Sequence, residues 1–250
     1  MNKFPEIGGH FEMIGSFDQN TSSDLQRTEK WLEQRKGRFT GSKIKDLMTC
    51  GRSTSKMAWG SFEKLIDFSK TAEKYIYQVG KERLTGLRSM NISSKQMQHG
   101  TENEPLFIQQ LINDGVIVDF NELGFENFGS YKNGGASPDG IAFYKGEKVC
   151  LELKCCTSWD GHFKRMYEKV HDKHDDFWQF QSEMLATGTK KCLYAVAAPM
   201  QVEQYDIQIV NASEIHQKCI LDRCKIADKA ISLWSDHTYP EALQIACSEF

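Results

Sequence analysis

A mixed α/β domain, with a central mixed β-sheet flanked by helices, is what this sequence predicts. Three observations predict it. Up to about residue 112 the apolar side chains recur at helical spacing. Between 116 and 210 the pattern changes to short β-rich runs separated by Gly, Asn and Asp turns. Helical patterns then interrupt and close those runs, at 175–187 and 211–235. Helices layered on a sheet are what such an order builds.

The elements follow in turn. Residues 1–22 read as a loosely attached arm ending in the polar run Gln19-Asn20-Thr21-Ser22-Ser23, and 23–250 as a single domain. A helix is expected to start near Ser23 and to carry Leu25, Trp31 and Leu32. The Gly-bounded turn 37–42 leads into a second helix with Ile44, Leu47 and Met48; residues 50–58 read as a loop. Residues 59–90 show helical spacing in Phe62, Leu65, Ile66 and Tyr75. A further helix is expected after Gly100, with Pro105, Leu106, Phe107, Ile108, Leu111 and Ile112. Strands are expected at 116–118, 125–128, 141–144, 149–153 and 193–198, and a half-exposed edge strand at 204–210. The last helix is expected to open on an Asn211/Glu214 capping box and to bury Ile215, Cys219, Ile226, Ala230 and Trp234.

Composition excludes several classes. Aromatic residues make up 11 %, far too many for a disordered chain. No run of about 18 apolar residues exists, so no membrane span is expected, and with no apolar leader the reading is cytoplasmic. The eight cysteines are scattered and form no CxxC pair, so reduced, mostly buried thiols are expected rather than a disulfide framework or a zinc site. The net charge of −3 does not advertise nucleic-acid binding. Its distribution says more: residues 24–98 hold 16 Lys and Arg against 8 Asp and Glu, a balance of +8, which on charge alone reads equally as a Lys-rich solvated helical surface. The remainder is therefore acidic, which suggests a polyanion on one surface and cations on another.

The chemistry concentrates in Ala136-Ser-Pro-Asp-Gly140 and Val149-Cys-Leu-Glu-Leu-Lys154. Strand alternation puts Glu152 and Lys154 on one face and Val149, Leu151 and Leu153 on the other. A tight hairpin centred on Lys145-Gly146 pairs residues whose numbers sum to 291, as do Asp139 and Glu152. It would set those carboxylates opposite each other, about 5 Å apart at Cβ. Taken alone, Pro-Asp-Gly is a common solvated turn. Two facing carboxylates repel unless a divalent cation lies between them or one is protonated, and oxygen donors suit Mg²⁺ or Mn²⁺. Lys154 would point at the same place.

SPDG followed by LELK resembles the PD-(D/E)xK nuclease motif. From about Trp31 to Met200 the chain is similar to the phage-type lambda exonuclease and YqaJ-like recombination nucleases. Three further motifs follow that family's order: Arg35-Lys-Gly-Arg-Phe-Thr-Gly-Ser42, Gly100-Thr-Glu-Asn-Glu104-Pro as a helix start, and Trp178-Gln-Phe-Gln-Ser-Glu-Met184. The resemblance implies a restriction-endonuclease-like core. It implies metal ligation by Asp139, Glu152, Glu104 and the Leu153 carbonyl, with two Mg²⁺ (or Mn²⁺) ions per site. Lys154 would be the catalytic lysine and Gln179, in preference to Gln181, the glutamine behind the site. Arg35, with Ser42 and the neighbouring Arg38, would hold a 5′-phosphate. Glu104 also reads simply as a helix N-terminal carboxylate, and the arginines as exposed basic side chains.

The implied activity is a metal-dependent 5′-to-3′ exodeoxyribonuclease on linear duplex DNA. It would leave 3′ single strands for an annealing protein and work as a ring-shaped homotrimer. An endonuclease or structure-specific nuclease on the same fold, or a non-cleaving DNA-binding scaffold, are the alternatives. Residues 50–98 match the family poorly, where it shapes its DNA channel. His171 and His174 read as part of a solvated charged run. Metal binding is the lesser alternative for those two histidines; Met166, Met184 and Met200 read as core residues, as do Trp59 and Tyr75 before any role in base stacking.

Overall fold

The computed structural model describes residues 26–89, 95–168, 170, 171, 174, 176–199 and 201–250, without the side chains of 95–97. The 1–22 arm, Ser23, Leu25, Asp175 and Met200 lie outside the described residues. The first helices are α1 (Glu29–Arg35), α2 (Gly41–Leu47), α3 (Phe62–Ile66), α4 (Lys70–Thr85) and α5 (Lys95–Asn113). A two-residue strand, β1 (Phe39–Thr40), lies between α1 and α2. Then come β2 (Val118–Asn121), β3 (Glu126–Phe128), β4 (Tyr131–Ala136), β5 (Gly140–Tyr144) and β6 (Glu147–Cys155). The chain continues with α6 (Trp159–Tyr167), α7 (Phe177–Thr187), β7 (Lys191–Ala198), β8 (Gln201–Asn211), α8 (Glu214–Ser232) and α9 (Tyr239–Ser248).

The strands form two sheets. The central one is five-stranded and mixed, in the order β2-β5-β6-β7-β8, with β6 and β7 parallel and the other pairs antiparallel. The smaller has the order β1-β4-β3. One face of the central sheet packs Val149, Leu151, Leu153, Leu193 and Ala195 under Phe107 and Leu111 of α5. The other packs Cys150, Cys192, Tyr194 and Val196 under Phe180 and Met184 of α7. The largest core joins α2, α4, α8 and α9 to the small sheet.

The β5–β6 hairpin has the expected register: Tyr144 pairs with Glu147, Gly140 with Leu151. Lys145 (φ 49°) and Gly146 (φ 79°) both take the left-handed conformation that a two-residue hairpin turn of this twist requires. Gly140 has a separate reason to be glycine. A Cβ there would meet the Phe120 ring at 2.4 Å and the Asn121 carbonyl oxygen at 2.7 Å, so β2 could not lie against β5. The edge position of β8 and the helices around Ile44, Leu111, Met184 and Ile226 also agree with the sequence.

Several expectations are corrected. Gly100 does not start a helix; α5 begins at Lys95 and carries both Gly100 and Pro105 inside it. Glu104 is therefore a mid-helix residue, and the helix-dipole reading of it falls away. The single helical region 59–90 is two helices, α3 and α4. No capping box forms at Asn211: that residue ends β8, Ser213 is the N-cap, and Ile215 is 58 % exposed. The capping box belongs instead to Thr238 and Glu241 at α9. Trp59 packs edge-on against Trp178, and Tyr75 is buried with its hydroxyl accepting from the Thr40 N–H, so both are core residues. His174 is buried rather than solvated and stacks on Phe180. No helix among the described residues is long and apolar enough to cross a membrane.

Candidate active site

β6 places Glu152 and Lys154 on the α7 side of the central sheet. Glu152 is 3 % exposed, and its carboxylate accepts from the Lys154 ammonium. Asp139 lies one residue before β5. Its backbone N–H donates to the Leu151 carbonyl at 3.0 Å, and its Oδ2 accepts from the Leu153 N–H at 2.6 Å. The side chain thus replaces the strand: Pro138 has no N–H to give β6, its carbonyl accepts from Gln26, and the Asp139 carboxylate accepts from the Leu153 N–H in its place. The same register sum that pairs Gly140 with Leu151 brings Asp139 to Glu152, but through this side-chain bond rather than as a ladder pair. The N–H and C=O of one strand residue leave on the same side, so the Leu153 carbonyl faces Asp139 rather than β7.

Glu104 reaches the cluster from α5. Its Oε2 pairs with Arg27 Nη2 at 2.5 Å, and Arg27 holds a left-handed conformation (φ 66°) at that contact. Burial, then the Glu152 and Glu104 carboxylates, push the Asp139 carboxyl well above the ordinary range, against the pull of the Leu153 N–H. Burial works against the charge on Lys154, but Glu152 and Asp176 outweigh it and its pKa is raised.

Among the described residues Gln179 reaches the cluster through a neighbour: its Nε2 donates to Glu183 Oε1 at 2.8 Å. Gln181 is structural, donating to the Asn211 carbonyl at 3.0 Å and accepting from the Ser213 N–H at 2.8 Å. Glu183 was not foreseen. It is 1 % exposed, lies against Glu152, and has ligand atoms within 4.8 Å of Cys150 and Cys192, which face it from adjacent parallel strands. Burial and the charges of Glu152 and Cys150 push its carboxyl well up. The signal was present: Glu183 stands four residues after Gln179, on the same helix face.

Arg35 and Ser42 come together, with Arg35 Nη2 donating to Ser42 Oγ at 2.9 Å. Arg35 Nη1 also donates to Ser137 Oγ at 3.4 Å, and Trp31 Nε1 donates to the same oxygen at 2.9 Å. The guanidinium stacks 4.1 Å from the Trp31 ring, and burial lowers its pKa to about 10. Arg38 does not join this corner; it donates to Asn127 Oδ1 at 3.1 Å. Ser137, missed as a site residue, stands two positions before Asp139. Gln26 ties the same loop down, donating from Nε2 to the Pro138 carbonyl at 2.8 Å and the Leu123 carbonyl at 2.9 Å.

A mixed sheet ending in opposed carboxylates with a lysine beside them is the arrangement expected of a restriction-endonuclease-like core. A family model for the YqaJ-like viral recombinase domain matches residues 30–190, well over half of the chain, and the chain belongs to that family. Among solved structures it is similar to the alkaline exonuclease LHK-Exo of Laribacter hongkongensis, at 22 % identity and TM-score 0.66, covering 87 % of this chain and 100 % of that one. LHK-Exo in complex with dAMP matches at 23 % identity with the same TM-score and coverage. A phage-related exonuclease from Haemophilus somnus 129PT matches at 13 % identity and TM-score 0.58, covering 80 % of this chain and 96 % of that one. No curated protein matches the chain.

Proposed function

We propose that the protein is a metal-dependent 5′-to-3′ exodeoxyribonuclease on linear duplex DNA, leaving 3′ single strands for recombination. The observation that carries the end-dependent reading is the Ser137-Pro138-Asp139 link. It sets the Arg35–Ser42–Ser137 corner two residues, at most about 7 Å of chain, from the carboxylates. A terminal phosphate held by the guanidinium fork would leave the first phosphodiester bonds within reach of the cluster.

The residues fit a hard divalent cation. Asp139, Glu152 and Glu104 are oxygen donors gathered where burial makes their repulsion costly, and the Leu153 carbonyl faces them. These groups would hold Mg²⁺ or Mn²⁺, two ions by family resemblance. Bound there, the ions would supply a more acidic water and charge neutralisation at the leaving oxygen. The Leu153 N–H holds Asp139 in place, and Arg27 does the same for Glu104. Lys154, charged and directed by Glu152, orients the attacking water or meets the negative charge that grows on the phosphate. The basic 24–98 segment binds the DNA backbone without reading sequence. A homotrimeric ring and a single-strand annealing partner complete the proposal on family resemblance.

The test is digestion of end-labelled linear duplex beside covalently closed circles, in Mg²⁺ and in EDTA, with Lys154→Ala as control. Mg²⁺-dependent nucleotide release from linear DNA only, lost in the variant, is expected. Cutting of circles would replace this reading with an endonuclease; binding without cleavage would leave a DNA-binding scaffold.

A further inference from the structure

We propose that Arg165 is a second cation of the reacting centre, donating to the phosphate that is cut and to its transition state. This rests on the nuclease reading above and adds a residue that the family motifs do not contain.

Arg165 lies on α6, the helix that begins five residues after Lys154, and turns toward the sheet. Its Nη1 donates to Asp176 Oδ2 at 2.6 Å and to the Tyr194 hydroxyl at 3.0 Å. Tyr194 is the register partner of Glu152 across β6 and β7, so its side chain stands on the Glu152 face, beside the carboxylate–lysine pair. Charge links the same groups. The charges of Asp176 and Lys154 act on each other, and those of Arg165, Asp176 and Lys154 all reach Tyr194.

How the guanidinium is used points to a ligand. Asp176 is the N-cap of α7, a position where an aspartate ordinarily caps the first turn. It makes no side-chain cap bond and gives its carboxylate to Arg165 instead. Both contacts fall on Nη1. Nε and Nη2 make no hydrogen bond among the described residues, and the side chain is 34 % exposed. A rigid fork held from one side by Asp176, whose charge also acts on Lys154, and by Tyr194, the neighbour of Glu152, with two donors unbonded among the described residues, is an arrangement that suits a phosphoryl oxygen. Asp176 and Tyr194 are its positioning residues.

The experiment is single-turnover cleavage of a 5′-phosphorylated linear duplex in Mg²⁺, with duplex affinity and melting temperature measured on the same samples. Arg165→Gln is expected to lower the cleavage rate by about 10²- to 10³-fold, while duplex affinity falls far less. Free guanidinium is expected to restore part of the Arg165→Ala rate, which a purely structural role would not allow. Arg165→Lys keeps a charge for Asp176 but loses the fork, so it is expected to melt like the wild type and cut at least about tenfold more slowly. Wild-type cleavage by Arg165→Gln or by Arg165→Lys would overturn the assignment. So would a loss of rate that tracks melting temperature and resists guanidinium. A wild-type protein that cuts no DNA would sink the nuclease reading itself, and this role with it.

Discussion

The two polar regions beside the Ser137-Pro138-Asp139 link are built on opposite principles. On the Asp139 side, carboxylates from α5, the β5 approach, β6 and α7 come together, and burial and the neighbouring charges push the Asp139 and Glu183 carboxyls well up. On the Ser137 side, one guanidinium is stacked on Trp31 and aimed by two serine hydroxyls, with no carboxylate among those contacts. The first region is short of positive charge and suits cations; the second is short of negative charge and suits a phosphate. A single loop connects them, so chemistry and end recognition are separable by mutation although they are neighbours in the chain.

The sharpest break comes from Lys154→Ala or Asp139→Asn. Each is expected to lower cleavage of any DNA end by about 10³-fold or more in a single-turnover assay, with duplex binding retained. Arg35→Ala should behave differently. It is expected to cost about 30- to 100-fold on a 5′-phosphorylated end and little on a 5′-hydroxyl end, so the ratio of the two rates falls toward one. If both ends slowed equally, the corner would not be a phosphate site.

The carboxylate side should also show itself in stability. The Asp139 and Glu183 carboxyls have folded-state pKa values raised above the unfolded ones. Each therefore favours the folded state at low pH and loses that contribution as pH rises from the unfolded value to the raised one. In EDTA the melting temperature is expected to climb as pH falls from the raised values toward the ordinary carboxylate range, until other carboxylates begin to protonate. Mg²⁺ should stabilise most at the upper end of that range, where binding to the folded state offsets the repulsion. Asp139→Asn should flatten both responses; an unchanged slope in that variant would remove Asp139 from the buried cluster. The smallest effect belongs to Ser42→Ala, which removes one hydroxyl partner of Arg35. About a two- to tenfold loss on phosphorylated ends is expected, and no change in the pH response.

Much of this was readable in the sequence where one physical rule acted alone. The β5–β6 register followed from a two-residue turn and strand alternation. α7 and α8 followed from apolar spacing. Other parts were hidden because tertiary contacts decided them. β4 reads Tyr131-Lys-Asn-Gly-Gly-Ala136, polar and glycine-rich, and becomes a strand only because β1 and β3 flank it. α6 exposes Trp159, Phe163 and Tyr167, so its aromatic residues do not mark a buried face. Of the site, Asp139, Glu152, Lys154, Arg35 and Ser42 were visible as motifs. Glu183 and Ser137 were passed over inside quoted motifs, and Arg165 and Tyr194 outside them. The local pattern shows which residues share a face, but not that α6 and α7 bring their faces to one strand end.

The Gln26 strap has a kinetic consequence. Its amide reaches carbonyls 97 and 112 residues further along the chain, and Arg27 reaches 77 residues to Glu104. Contacts with such sequence separation carry a large loop-closure cost and tend to form late. The described core has few ties to this segment, so the segment can detach by local unfolding while the sheets stay paired. Amide protons at 26–31 should exchange with solvent well before those of β6, and a nick in that stretch should disable the site without melting the domain.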